Sequence, residues 1–419
     1  ARDNNKLLPV VNVNARAGQG DDGMFVDASL LVDSAGRRSD VALKALAKQV
    51  KSDWTFDARV NGQQIVVDDL MQLAGAFSAK TQEKPAASSA TTQKGGAKSA
   101  PVPALAKTPR TSTKPDTKAF WAGVQGQAGV DIKSVLYGEK WQVTGIAAVL
   151  KVDETRLALE RAAARFDEKS SLSANAEVKF AAGKPQPYDL NAKFDLKDFD
   201  TVPVFKALDP NKPPTVEGVF NVDGNASGKG ANLNDLTANT KGNLNLSSKG
   251  GLFRGLKFAT TASKATQVAG ALLGLAGVRG SQEIDLVGQL AGLLGEIPYD
   301  QLTLKVNRDD QLNIKLEDFN LISPNVHLQG KGSISSELNK PLVQQPLKME
   351  LSLGARGPVE DALNRGKQLS GTRDNLGYAD FREPFVVGGT LENPDTSQLK
   401  TLLAKVAVGG VLDILGGKK

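Results

Sequence analysis

The sequence predicts a mainly β protein, and three observations carry that prediction. Apolar and polar residues alternate with period two in run after run, the pattern of strands with one wetted face. Gly, Pro, Asn and Asp punctuate the runs at short spacing, which favours antiparallel hairpins over long crossovers. Segments with helical spacing are few. The 419 residues are 40% hydrophobic but only 5% aromatic, so the core must be built from Leu, Val, Ala and Ile.

Taken in order, "MFVDASLLVD" (24–33) and "WTFDARVNG" (54–62) alternate cleanly, and "QQIVVDDL" (63–70) less so. Between them, "DVALKALAKQVKS" (40–52) places Val41, Leu43 and Leu46 on a possible helical stripe. Residues 79–118 are rich in Pro, Ala, Ser, Thr and Lys, with only Val102 and Leu105 strongly apolar. Such a segment buries too little surface to offset its chain entropy, so it is expected to be a disordered basic linker or a long excursion from one sheet. Its eight Lys/Arg against two acids account for the whole net charge of +6, leaving the rest of the chain neutral. Three regions are therefore expected: an N-terminal β segment with one helix (1–78), the linker (79–118) and a β-rich region with helices near 263–297 and 396–415 (119–419).

Beyond the linker, "RLALERAAARF" (156–166) fits either a strand or a helix. "SLSANAEVKF" (171–180) and "DLNAKFDLK" (189–197) flank the turn-like "AGKPQPY" and predict a hairpin. The alternation returns at 216–228, 236–248, 302–307, 312–319, 326–334, 347–354 and 385–391. Helical spacing appears at 263–278, 282–297 and 396–415. The longest uncharged stretch of helical pattern, Ala265–Val278, is short of the ~20 residues that cross a bilayer.

Catalytic chemistry finds little to build on. Without cysteine there is no thiolate metal site and no disulfide, a usage compatible with an oxidising compartment. The single histidine, His327, excludes a multi-His metal centre and is expected to face solvent between Val326 and Leu328. "GQGDDG" (18–23) matches a dinucleotide-binding spacing, but Asp21 and Asp22 would repel a pyrophosphate and a strand follows, so it reads as a hairpin turn. "GNASGKGAN" (224–232) lacks the spacing of a phosphate loop, and the acids at Asp198 and Asp200 lack that of a calcium loop. A carboxylate pair for glycoside hydrolysis is conceivable, but nearly all Asp and Glu alternate with apolar residues as a wetted face. Interleaved Lys and Asp with few aromatics speak against nucleic acid. No enzyme, cofactor or metal is expected.

The apolar faces of so many strands need a cover that a few helices cannot supply. Two sheets packed face to face would provide one. A long twisted sheet whose apolar face stays concave and takes up something hydrocarbon-like would provide another, since alkyl chains need burial and no directional bonds.

The segments "FWAGVQGQAGVDIKSVLYG" (120–138), "LALERAAARFDEKSSLSANAEVKF" (157–180), "TVPVFKAL" (201–208), "VEGVFNVDGNASGKGANLNDLTANTKGNLNLSSKGGLF" (216–253) and "FVVGGTLENPD" (385–395), in that order, resemble the C-terminal periplasmic region of the AsmA family. A variable polar insertion before the Phe-Trp segment is also like that family. The resemblance implies an elongated, twisted antiparallel sheet curled into an apolar groove with a few capping helices. It implies a Gram-negative envelope protein, periplasmic and tethered to the inner membrane by an N-terminal helix outside this chain, similar to TamB and the bridge-like lipid transfer proteins. Glycerophospholipid acyl chains are then the expected ligand, with the inner or outer membrane surface and an envelope protein as partners. A scaffold with a closed sandwich and no lipid is the alternative. In-facing residues expected to line the groove are Leu172, Val178, Phe180, Leu190, Phe194 and Leu196 on the first hairpin. Leu244, Leu246, Leu302, Leu304, Leu312, Ile314 and Leu316 follow on later strands.

Overall fold

The computed structural model describes residues 2–3, 6–7, 9–34, 37–78, 114–138, 141–208, 213–254, 292–337, 340, 344–365, 367–390, 393–395 and 397–398. Most of the expected linker, and the helices expected at 263–278, 282–291 and beyond 398, lie outside the described residues; 292–295 are helical.

Strands β1 (Arg2–Asp3) and β2 (Lys6–Leu7) pair with each other. The other 21 strands form one twisted sheet. They are β3 (Val10–Gly20), β4 (Gly23–Ser34), β5 (Arg37–Val50), β6 (Asp53–Gly62), β7 (Ile65–Val66), β8 (Val124–Tyr137), β9 (Trp141–Val152) and β10 (Arg156–Arg165). Next come β11 (Ser171–Phe180), β12 (Tyr188–Asp200), β13 (Val216–Gly230), β14 (Lys241–Phe253), β15 (Ile297–Tyr299), β16 (Gln301–Arg308) and β17 (Ile314–Ile322). Last are β18 (Val326–Ile334), β19 (Leu347–Ala355), β20 (Leu369–Arg373), β21 (Ala379–Phe381), β22 (Phe385–Gly389) and β23 (Pro394–Asp395). Short helices α1 (Val67–Ser78), α2 (Thr201–Leu208), α3 (Leu233–Ala238) and α4 (Gly357–Arg365) sit at strand ends. No pairing joins β3 to the β22–β23 end among the described residues, so the sheet is open rather than a barrel.

Three expectations change. Residues 40–50 belong to strand β5 and 51–52 to the turn after it, not to a helix. Their Ala, Leu and Lys content favours a helix by only tenths of a kcal/mol per residue, and ladders to β4 and β6 on both edges outweigh it. The run 63–70 gives two strand residues and then turns into α1, where Asp68 and Asp69 occupy the acidic first turn. The run 236–248 begins inside α3, and its strand starts at Lys241. The ambiguous 156–166 is strand β10. The predicted hairpin forms as β11–β12, in unbroken register from Ser171↔Lys197 to Phe180↔Tyr188.

Pairing is antiparallel except at one place: β6 and β7 run parallel to β8. Parallel neighbours need a crossover of a dozen or more residues, and α1 with the polar segment after it occupies that connection. The sheet therefore continues from one side of the low-complexity segment to the other. Helix α1 contacts β4 and β8, and Val32, Ser39 and Val66 beside it are almost completely buried.

At the C-terminal end the sheet is covered on both faces. Val359, Ala362 and Leu363 of α4 pack with Leu321, Val326, Leu328, Leu353 and Ala355 into the largest core. On the opposite face His327 is 3% exposed, against the expectation of a solvent-facing residue. The loop before β21 covers it: Nδ1 lies 2.5 Å from Asp374 Oδ2 and Nε2 lies 2.8 Å from Asn320 Oδ1. Gly354, paired with His327, makes room for this loop, since a Cβ there would sit 2.8 Å from Tyr378 Cβ. Burial opposes ionisation of Asp374, but hydrogen bonds with His327 and from the N–H groups of Tyr378 and Leu376 outweigh it and hold the carboxyl below its usual range. The Tyr378 hydroxyl donates to Ser323 O and accepts from Arg356, tying the loop to the end of β17.

Candidate functional site: an apolar strip across the sheet

Register shows what alternation builds. Directly paired residues share a face. Starting at Ala15, successive partners are Ala28, Leu43, Val60, Val130, Ala148, Ala162 and Ala174. The row continues through Phe194, Gly224, Leu244, Val306, Leu316, Gly332, Met349 and Val387. It contains no polar side chain from one end of the sheet to the other. Bulges in β10 and β17 shift register where the sequence would otherwise throw the pattern out of phase, so the apolar face survives each irregularity. The row beside it, on the opposite face, reads Asn175, Lys193, Asn225, Asn243, Asn307, Lys315, Ser333 and Lys348.

Most expected lining residues converge on the strip. Leu172 pairs with Leu196, Val178 with Leu190, and Leu246 with Leu304; Leu244 and Leu316 both face Val306, and Ile314 faces Ile334. These residues and Phe194 are half-buried; Val178 and Leu190 pack against an aromatic cluster at one rim and Leu246 against the C-terminal core. Phe194 lies over Gly224, where a Cβ would come within 2.5 Å of its ring, so the glycine keeps the floor thin. Three expected residues sit elsewhere. Phe180 is buried in an aromatic cluster at one rim, and Leu302 in the C-terminal core. Leu312 precedes β17, in a turn with φ +64°, beside Asp189, Lys241 and Asp310. Phe56, Val60, Val130, Leu150, Leu159, Val306 and Phe319 complete the strip although they are not among the expected lining residues. The unbroken "GIAAVL" at 145–150 has no polar alternation to reveal a strand, whereas 54–62 and 302–307 alternate plainly.

One rim is closed by side chains from the segment that returns to β8. Trp121 Nε1 donates to Asp153 O at 2.6 Å, and the Tyr188 hydroxyl accepts from Phe120 N–H at 3.1 Å and donates to Asp116 at 3.0 Å. Burial, with the Asp116 carboxylate next to it, pushes the Tyr188 phenol up to about 12. Helix α3 finishes this rim: Asn232 Oδ1 accepts Asp235 N–H, and the Asp235 carboxylate accepts Ala231 N–H, a reciprocal cap that leaves Leu236 buried under Tyr188. At the other rim Tyr299 donates to Glu217 O and bonds Ser248, packed against Gly251, where a side chain would collide with its ring.

The model of the AsmA family matches residues 37–283, more than half of the chain. The chain belongs to the AsmA family. No curated protein and no solved structure matches it. The matched span runs from β5 past β14, the part of the sheet where the strip is half-buried. Membership points to a function in the cell envelope, related to the outer membrane. Among the described residues no helix is long and apolar enough to cross a membrane, and no group of His, Asp and Glu could hold a metal ion.

Proposed function

We propose that this AsmA-family chain is a non-enzymatic lipid-binding and lipid-transfer protein of the periplasm, tethered to the inner membrane by a helix outside this chain. In this reading it shields glycerophospholipid acyl chains on their way between membrane surfaces and supports outer-membrane phospholipid homeostasis and envelope biogenesis, alone or with an envelope protein partner. The observation that carries the reading is the polar-free row from Ala15 to Val387, only half-buried through its middle among the described residues.

An uncovered strip of this extent is costly in water, and an alkyl chain lying on it gains about 0.8 kcal/mol per buried CH₂. From β3 to β14, before the C-terminal core begins, the sheet takes about ten steps of ~4.8 Å, so this part of the strip runs roughly 50 Å. That exceeds the ~30 Å hydrocarbon core of a bilayer, and acyl chains can lie along it in file. The lipid headgroups would stay in water at the rims, which asks no buried charge of the protein.

The test is photocrosslinking from Phe194 and Leu304, with Lys193 on the opposite face as control, followed by mass spectrometry of the adducts. Phospholipid adducts at 194 and 304 but not at 193 are expected. Adducts with protein only, or none at either strip position, would favour a scaffold that uses the strip for packing.

A further inference from the structure

Between β3 and β19, two charged side chains stand at paired positions of the apolar face, and they are met differently. Arg37, at the start of β5, lies 2.9 Å from Asp69 and 3.9 Å from Asp68 of α1. Arg308, the last residue of β16, meets no carboxylate among the described residues. Its Nη1 donates to Thr240 O at 2.8 Å and its Nη2 to Ala238 O at 3.3 Å, both at the end of α3. The acids that follow it in the chain are engaged on the opposite face, Asp310 by Lys241 and Asp309 by Lys315. A guanidinium carries five N–H donors and stays charged, so two carbonyls leave Arg308 with donors to spare and its charge unpaired.

Register leads a lane up to this cation. Arg308 faces Gly242, and the row runs back through Ala226, Ala192 and Ala176, all half-buried. Larger apolar side chains flank this low floor, Leu190 on one side, Phe194 and Leu244 on the other. From Ala176 to Arg308 the row takes four ladder steps, about 19 Å. A bilayer core of ~30 Å is two acyl chains deep, so one chain of about 15 Å fits along the lane.

We infer that Arg308 anchors the phosphate of a bound glycerophospholipid. Its free N–H groups receive the phosphodiester oxygens at the rim, and one acyl chain lies back along the Ala226–Ala176 lane. The planar fork of arginine matches phosphate oxygens two at a time. A carboxylate of a protein partner would satisfy the same charge, but it would leave the lane beside it without an occupant. This inference rests on the lipid-binding reading above and adds to it the headgroup chemistry and the place where the headgroup sits.

Three probes test it, each titrated calorimetrically into the whole chain: dihexanoylphosphatidylglycerol, dihexanoylglycerol with the same chains and no phosphate, and inorganic phosphate. The phospholipid is expected to bind roughly tenfold tighter than the diacylglycerol, the scale of a hydrogen bond to a charged group. Inorganic phosphate, which has no chain for the lane, should bind far more weakly than the phospholipid. Arg308→Gln should abolish the preference for phospholipid and leave the diacylglycerol affinity unchanged. Arg308→Lys keeps the charge without the fork and should retain only part of the preference. If circular dichroism shows Arg308→Gln unfolded, the lysine variant carries the test. Equal affinities for the two lipids, or a preference that survives the substitution, overturn the anchor and leave the strip as a lipid surface. Binding of neither lipid overturns the lipid reading together with the anchor. Inorganic phosphate that binds as tightly as the phospholipid would make Arg308 a free-phosphate site and overturn its assignment to a headgroup.

Discussion

The strip between β5 and β14 and the core between β16 and β22 are made from the same alternation and lie on the same face of one sheet. They differ in what lies over them. Phe194 and Leu244 remain half-buried, whereas Leu328, Leu353 and Val326 pack with α4 and are almost inaccessible. A strand sequence thus specifies which side is apolar, and a separate amphipathic element decides whether that side becomes core or surface. An envelope protein that kept its whole strip roofed would be more stable and would have nowhere to place an alkyl chain.

The comparison breaks most readily at its largest expected effect. Leu363 of α4 is 0% exposed, so Leu363→Ala should cost about 2–5 kcal/mol in chemical denaturation. Leu244→Ala on the open strip removes a side chain that water already reaches and should cost about 1 kcal/mol. Equal losses at the two positions would mean that the open strip is packed like the capped one, and the distinction between them would fail.

A second contrast concerns the polar face. Over the open region that face is wet, with Lys193 and Asn225 exposed; behind the capped end it buries His327 against a half-buried Asp374. His327→Ala leaves the Asp374 carboxylate without its ring partner and should cost roughly 1–3 kcal/mol. The folded carboxyl is held below its ordinary value, so its contribution is complete above the unfolded pKa of ~3.9 and disappears as pH falls through the lower folded value. Stability measured from about pH 6 down to about pH 2 should show this acid limb flattened in Asp374→Asn. An unchanged limb would mean that the buried loop does not stabilise the capped end through its charge.

Much of this is legible in the residues and some is not. The hairpin 171–197 is readable because its Ala, Leu and Phe alternate without a break against Ser, Asn and Lys. β5 reads as a helix because Ala and Leu at 42–47 satisfy both a helical stripe and a strand, and only its neighbours on both edges decide. Helix α4 carries its own signs, Pro358 in the first turn and Val359, Ala362 and Leu363 at helical spacing, but nine residues are too short a window for that period to stand out among strands. His327 is out of reach: Val-His-Leu spells a half-wet strand, and the loop that covers it comes from 47 residues downstream. Leu312 looks in phase with Ile314 and Leu316, but the left-handed turn at 312 takes it out of the strand.

The smallest effect tests the rim, where open strip and buried cluster meet. The reciprocal cap of α3 places Leu236 under Tyr188, and Tyr188 in turn holds the segment carrying Trp121. Asn232→Ala removes one acceptor from the helix start and should cost about 1 kcal/mol. Because Trp121 shares the cluster with Leu236, its fluorescence should report this loss, while Leu363→Ala at the far core should leave the native Trp121 signal unchanged. A Trp121 signal that responds to Leu363→Ala and ignores Asn232→Ala would show that the rim draws its order from the capped end, and that the open strip is not held by its own edge.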